Sequence, residues 1–274
     1  MPERIKVYWH FGGRGSWCHT LVEFLTRGCE HFESLVPAKR AIVVVKADSV
    51  PDTLLLAHEL NRFESGVLIV CGNEEGTFRT EEIKHPRMKV WLQTPAANQT
   101  CDRALPWGWT PRKIAAPDSS ERIFNWSFAG QNSHVRRHEC IEALRKIPHG
   151  LLTETNGFSQ GLSRNVYWEL LHSTKLVPCP SGPLTVDTFR ACESLEAGAI
   201  PILDGVSPTG HYRAYWTRVF GPNIPFPIIE SWDTLPSVME TWLQNWEERQ
   251  ETCMNWWKAQ KGEWLHNLSQ DLHA

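Results

Sequence analysis

Short apolar runs alternate along this chain with stretches whose apolar residues recur every three or four positions. That alternation predicts an α/β protein with parallel sheets, because crossover helices cover both faces of such a sheet. In the first half, residues 5–11, 41–46, 66–71 and 88–94 are runs rich in Val and Ile without strict alternation, as strands buried on both faces should be. A helix carrying Leu21, Val22, Phe24, Leu25 and Cys29 is expected between the first two, and another over 52–63, with Leu54, Leu55, Ala57 and Leu60 on its buried face. Between Cys101 and Ser120 the pattern breaks into Pro106-Trp107-Gly108-Trp109-Thr110-Pro111 and then Ala115-Ala116-Pro117-Asp118-Ser119-Ser120, the punctuation of an interdomain linker.

A second run follows. It opens with a strand over 122–129, a turn at Gly130-Gln131-Asn132 and a helix from Ser133 that carries Ile141, Leu144 and Ile147. A strand near Leu151, a helix with Val166, Tyr167, Leu170 and Leu171, and a strand over 176–179 come next. After Pro180-Ser181-Gly182-Pro183, Asp187 is expected to cap a helix over 188–197 that ends at Gly198 and leads into a strand over 199–203. From Thr234 onward Trp242, Trp246, Cys253, Trp257 and Trp264 share one stripe at helical spacing, which a docked terminal helix would bury. The expected domains are therefore 1–115 and 116–274.

With 274 residues, 41% hydrophobic and 22% charged, the chain can fill real cores and is neither disordered nor fibrous. Its apolar runs fall far short of the ~20 residues that cross a bilayer, and the N-terminus lacks an export signal, so a cytoplasmic protein is expected. A net charge of -3 gives no global field for nucleic acid or anionic lipid. Eight cysteines without a Cys-x-x-Cys pair read as reduced, buried thiols rather than zinc ligands or a disulfide framework. Fourteen tryptophans against four tyrosines suit sugar or base stacking and core filling equally well.

The chemistry concentrates in the strand–turn–helix–strand unit from Cys179 to Ile202. Ligands of parallel α/β sheets bind beyond the carboxyl ends of strands, where the Ser181-Gly182 turn and the first turn of the next helix would offer amides to a phosphate. Arg190 and Glu193, three apart, share a helix face on which a guanidinium can grip a diphosphate while a carboxylate accepts ribose hydroxyls; an ion pair between the two is the alternative. Gly130 followed by Arg136 and Arg137 puts two cations in the first turn of a helix, which an anion bound there would stabilise. Phe11-Gly12-Gly13-Arg14-Gly15-Ser16-Trp17 reads as a phosphate or sugar loop, with Cys18 where a dinucleotide fingerprint has its third glycine. No phosphate-loop lysine motif, His-Glu-x-x-His, Gly-x-Ser-x-Gly or Asp-x-Asp occurs, so arginines and helix dipoles would do the work of a bound cation.

These residues resemble the exostosin-type glycosyltransferase family. The similarity is most specific from Phe128-Ala129-Gly130, through Tyr167 to Lys175 and Cys179-Pro180-x-Gly182, to Arg190-x-x-Glu193-x-x-Glu196-Ala197-Gly198-Ala199-Ile200-Pro201. In the first half, Val67 to Glu75 resembles the family's strand ending in Asp-Glu, with Asn73 in the place of the acid, and Leu105 to Trp109 resembles its pre-linker turn. The resemblance implies a GT-B architecture: two Rossmann-like domains face each other across a cleft, the C-terminal one holds a UDP-linked sugar, and the last helix crosses back. It also implies an inverting transfer without an essential metal or other cofactor, in which a base deprotonates an acceptor hydroxyl as the nucleoside diphosphate leaves. Arg190, with Arg136 or Arg137, would then stabilise the diphosphate and Glu193 the ribose, with Gly130, Ser181, Gly182 and Asp187 building the nucleotide-sugar site. Gly13, Trp107 and Trp109 would lie on the acceptor side, and Glu74 is the first choice of base, with Asp48 and His10 behind it.

Rival readings keep or change the class. A phage-type transferase acting on 5-hydroxymethylpyrimidines in DNA would use a basic channel, to which Arg112, Lys113, Arg136, Arg137 and Arg145 could contribute. A non-catalytic sugar-binding module would use the tryptophans and not need Arg190 and Glu193. A GT-B sugar epimerase would consume donor without an acceptor.

Overall fold

The computed structural model describes residues 5–111, 121–157, 160–211 and 214–273; Arg112, Lys113 and linker residues 115–120 lie outside them. The chain divides into two compact units, Met1–Gly108 with Gln260–Ala274, and Trp109–Ala259.

The first unit runs β1 (Lys6–Trp9), α1 (Thr20–Leu25), β2 (Glu30–Phe32), β3 (Ala38–Lys46), α2 (Thr53–Leu60), β4 (Phe63–Cys71), β5 (Met88–Gln93) and β6 (Arg103–Leu105). The strands form one parallel sheet in the order β2-β1-β3-β4-β5-β6. Its centre is the pair of apolar runs Ala41–Val45 and Val67–Cys71, buried on both faces as the sequence requires. Gly66 lets β3 and β4 close up, since a Cβ there would stand 2.1 Å from the Ala41 carbonyl oxygen. Asp52 starts α2 by accepting from the Leu54 amide at 2.8 Å. The helix buries Thr53, Leu56 and Leu60, so the expected inward Leu54 and Leu55 instead face solvent, roughly 100° round the helix from that stripe.

The second unit continues β7 (Phe124–Gln131), α3 (Val135–Leu144), β8 (Gly150–Thr155), α4 (Arg164–His172), β9 (Thr174–Cys179), α5 (Phe189–Glu196) and β10 (Ile200–Asp204). A small antiparallel hairpin, β11 (Val206–Ser207) and β12 (Gly210–His211), precedes α6 (Tyr215–Phe220), β13 (Ile228–Ile229), α7 (Leu235–Leu243) and α8 (Trp246–His273). The sheet is parallel, in the order β13-β10-β9-β7-β8. Trp126 lies flat across Gly150, where a Cβ would meet its ring at 1.9 Å.

The expected single terminal helix is broken at Asn245, which holds φ at +53° between α7 and α8. Part of the expected stripe fills cores: Cys253, Trp257 and Trp264 are buried, whereas Trp242 and Trp246 are only half-buried. Within the second unit the Trp257 indole donates to Glu196 at 2.8 Å; within the first, Asp271 accepts from the buried Trp91 indole at 2.9 Å and pairs with Arg103. None of the eight cysteines is in a disulfide, and six of them are buried. Among the described residues no helix is long and apolar enough to cross a membrane.

Candidate functional site

In both sheets the strand order reverses once, between β1 and β3 in the first unit and between β7 and β9 in the second. Loops leaving two such strands splay to opposite faces, which opens a crevice at their carboxyl ends.

At the β7/β9 crevice Arg190 reaches from the first turn of α5 to β7, where its Nη2 donates to the Ala129 carbonyl at 2.7 Å. Its guanidinium sits 4.6 Å from the centre of the Phe128 ring. Gly130 is required by this approach: a Cβ there would stand 2.7 Å from Nη2. Arg190 Nε is buried and donates to nothing, as the hydroxyls of Ser181 and Thr188 are buried without partners. Thr188, not Asp187, holds the cap position of α5, and its side chain makes no capping bond. A buried guanidinium Nε, two unpartnered hydroxyls and a helix start without a side-chain cap together gather donors that lack acceptors.

Glu193 stands one turn further on and does not pair with Arg190. Its Oε1 accepts from the Thr110 amide at 3.2 Å and from the Thr110 hydroxyl, and its Oε2 from the Tyr167 hydroxyl at 3.0 Å. Burial and the Glu193 charge push the Tyr167 phenol well above its ordinary pKa, so it remains a donor. Glu193 is only 3% exposed and held in one orientation, and with two donors on Oε1 and one on Oε2 the carboxylate keeps lone-pair capacity for a further donor at Oε2.

The neighbouring candidates divide. Arg136 grips the fully buried Asp204 with Nε at 3.2 Å and Nη2 at 2.7 Å, and also bonds Glu139 and the Glu230 carbonyl. It is a clamp for the β10 end, so of the two arginines Arg137 is the one left at the crevice, with Nε 3.4 Å from the Ser181 carbonyl. The Ser181 amide, expected to serve a phosphate, donates to Asp204 at 3.2 Å instead, which leaves its hydroxyl as the group without a partner. Gly182 is buried beside it. Asp187 is buried and accepts from the Tyr215 hydroxyl at 2.6 Å, which ties the loop after β9 to α6. Asp204 was not foreseen: it also accepts from the Val206 amide and the Trp232 indole. Burial beside Arg137 pushes the His134 imidazole down to about 4.

At the β1/β3 crevice the loop after β1 carries Gly12, Gly13 and Gly15 at positive φ, with open space at Gly13. Gln93, a second residue the sequence reading missed, locks the surrounding loops: it accepts from the Gly72 amide at 2.9 Å and donates to the carbonyls of Cys18 and Trp107 at 3.1 and 2.9 Å. The only signal for it was a polar residue closing an apolar strand. Asn73 ties down the turn after β4 through Gln99, Thr94 and Phe78, and that turn carries two acids, the half-buried Glu74 and the exposed Glu75. Asp48 is exposed and paired with Lys46 at 2.6 Å, which holds its carboxyl below the usual range and makes it a poor base. His10 pairs with Glu59 at 2.7 Å. Trp107 and Trp109 are buried, Trp109 edge-on to Trp257 in the second unit, so neither is an open stacking face; the exposed ring is Trp17, packed 5.0 Å from Trp107.

His19, 1% exposed, is pushed down to about 4 by burial and by Lys46. The unfolded chain holds that proton up to a pKa of 6.5, so it binds more protons than the native state between the two values and stability falls as pH drops through that window. Going from pH 7 to 5 is expected to remove about 2 kcal/mol through His19. Urea unfolding of His19→Gln, which keeps an acceptor for the Ser16 amide, should show a visibly flatter pH dependence; an unchanged one would contradict the assignment.

A cavity of about 460 Å³ lined by Glu81, His85, Lys89 and Asp102 lies at the opposite, amino-terminal edge of the first sheet, away from the β1/β3 crevice.

No protein-family model and no curated protein sequence matches the chain. Among solved structures it is similar to two of β-glucosyltransferase. One is the T4 phage enzyme in complex with its UDP-glucose substrate, with 10% identity, 98% of this chain and 100% of that one covered, and a TM-score of 0.46. The other is a DNA-modifying β-glucosyltransferase in the presence and absence of uridine diphosphoglucose, with 11% identity, the same coverage and a TM-score of 0.50. The second likeness is one of fold.

Proposed function

We propose that this chain is a glycosyltransferase of the GT-B class that moves a sugar from a UDP-linked donor to an acceptor hydroxyl with inversion, without a metal or other cofactor. The observation that carries this is Arg190, anchored on Ala129 and Phe128 at the strand-order reversal with its Nε unpartnered, one turn from a Glu193 carboxylate that Tyr167 and Thr110 hold in place. Arg190 and Arg137 neutralise the departing diphosphate, the Ser181 and Thr188 hydroxyls donate to its oxygens, and Glu193 Oε2 accepts from a ribose hydroxyl. Acceptor chemistry belongs to the β1/β3 crevice and its glycine loop. Kinship with the exostosin-type family rests on the same residues, from Gly130 to Pro201. A cytoplasmic site of action goes with a free nucleotide-sugar donor.

For the acceptor, the reading supported by the fold likeness to a DNA-modifying enzyme is a 5-hydroxymethylpyrimidine in DNA. Protein given UDP-glucose in EDTA is expected to release UDP, and to release it faster when duplex DNA carrying 5-hydroxymethylcytosine is added. Release that requires Mg²⁺ would overturn the metal-free mechanism, and acceleration by glycan alcohols but not by the DNA would overturn the DNA acceptor. Glycan binding with no response to any nucleotide would favour a sugar-binding module.

A further inference from the structure

We propose that His134 is a diphosphate ligand of the β7/β9 crevice, donating a ring N–H to a phosphate oxygen and taking up a proton as the nucleotide-sugar binds. This rests on the transferase reading and concerns the second unit alone. His134 stands between β7 and α3, in the cap position of α3, with an extended backbone at φ −161° and ψ 170°. Ser, Thr, Asn and Asp are favoured there because their side chains accept from the free amides of the first turn. The His134 side chain makes no such bond. Both of its ring nitrogens are buried, and neither has a hydrogen-bond partner. A neutral imidazole carries one N–H and one lone pair, so a donor and an acceptor are both unsatisfied.

The charged groups facing the ring are Arg136 and Arg137 from α3 and Asp204 from the end of β10, with the Ser181 backbone from the turn after β9. Arg136 and Asp204 bind each other through two bonds, so their charges largely offset, while Arg137 reaches the Ser181 carbonyl with Nε at 3.4 Å. The Ser181 hydroxyl is without a partner on a residue 0% exposed. An imidazole, a hydroxyl and a guanidinium thus gather at the carboxyl ends of β7 and β9, and phosphate oxygens, which only accept, complement such a set. Burial, and then the Arg137 charge, hold the imidazole down at about 4. A diphosphate offsets that cation and favours the imidazolium, whose second nitrogen takes its proton from solvent and becomes a further donor. The complex then holds more protons than the free protein at any pH between about 4 and the raised value, so affinity climbs as pH falls through that window. A ring restored to the ordinary 6.5 gains about tenfold in affinity from pH 7.5 to 5.5.

The test is calorimetric titration of UDP-glucose into the full chain at pH 7.5 and 5.5, in EDTA. UDP-glucose is the probe because its diphosphate, substituted at both ends, has no proton that titrates in this range. Wild-type protein is expected to bind about tenfold more tightly at pH 5.5. His134→Gln keeps an N–H but cannot take a proton, and is expected to bind within about threefold of wild type at pH 7.5 and to lose the gain at pH 5.5. His138→Gln, one turn along α3 and exposed, is expected to keep the gain. A measurement that needs no variant is the heat of wild-type binding at pH 6 in two buffers of different ionisation enthalpy, which should reveal uptake of most of one proton. The same pH dependence in wild type and His134→Gln, or no proton uptake by the wild type, overturns the role of His134 while leaving the nucleotide site intact. No UDP-glucose binding by wild-type protein at either pH overturns the transferase reading, and His134 as its ligand with it.

Discussion

Replacing Arg190 with alanine is expected to lower kcat/KM for the donor by about 10²- to 10³-fold, the scale on which removal of one preorganised charge-stabilising donor acts. The expectation follows from what the side chain does before any ligand arrives. It is already packed on Phe128 and tethered to Ala129 with its Nε buried, so the side chain is held in place in the free protein and its unpartnered Nε is aimed by those two contacts. Lysine should restore little, because a single ammonium replaces neither the stacking nor the two-sided bonding of a guanidinium. Steady-state kinetics of Arg190→Ala and Arg190→Lys check this. A change of less than threefold in either would remove Arg190 from the diphosphate.

The largest stability effect is expected at Asp204, which is fully buried. It gathers the Arg136 guanidinium, the Ser181 and Val206 amides and the Trp232 indole around one carboxylate. Asp204→Ala leaves Arg136 as a buried cation facing only Glu139 and a carbonyl, and breaking a buried pair from one side costs about 3–5 kcal/mol. For a unit of this size that corresponds to a fall in Tm of roughly 10 °C. Calorimetry of Asp204→Ala beside Arg136→Met/Asp204→Leu separates the cost of an orphaned charge from that of the pair, since the double variant should recover much of the loss. A single variant within 1 °C of wild type would contradict the hub.

The elements most legible in the sequence are those where one force acts alone. Ala41–Val45, Gly66–Cys71 and, apart from Lys89, Met88–Gln93 are buried on both faces and read as strands on hydrophobicity, with ends within a few residues of those observed. β2 and β6 escaped notice because each is three residues long, and Glu30-His31-Phe32 and Arg103-Ala104-Leu105 have no apolar run to announce them. They are strands because the sheet edge offers them partners, a tertiary cause that no local pattern carries.

The candidate donor site divides along the same line. Gly130, Arg190 and Glu193 were legible because their spacing alone sets a glycine at a strand end and two side chains on one helix face. The commitments of Arg136 and of the Ser181 amide were not, since their partner Asp204 lies 68 and 23 residues away. Tyr167 was read as an apolar helix position and as the start of a family-like segment, without a role toward Glu193, and its bond to Glu193 closes a gap of 26 residues. Trp107 and Trp109 illustrate the reverse error, where an aromatic pair flanking glycine suggests a stacking surface and the fold uses both rings as core.

The central claim is that the β7/β9 crevice takes a nucleoside diphosphate on Arg190 and Glu193. The most direct measurement is isothermal titration of UDP into wild-type protein, Arg190→Ala and Glu193→Gln, each in EDTA and each first verified as folded by its melting curve. Saturable binding by the wild type without added metal, weakened at least tenfold in both variants, is the predicted result. Equal UDP affinity in all three proteins, or no binding by the wild type, would contradict it.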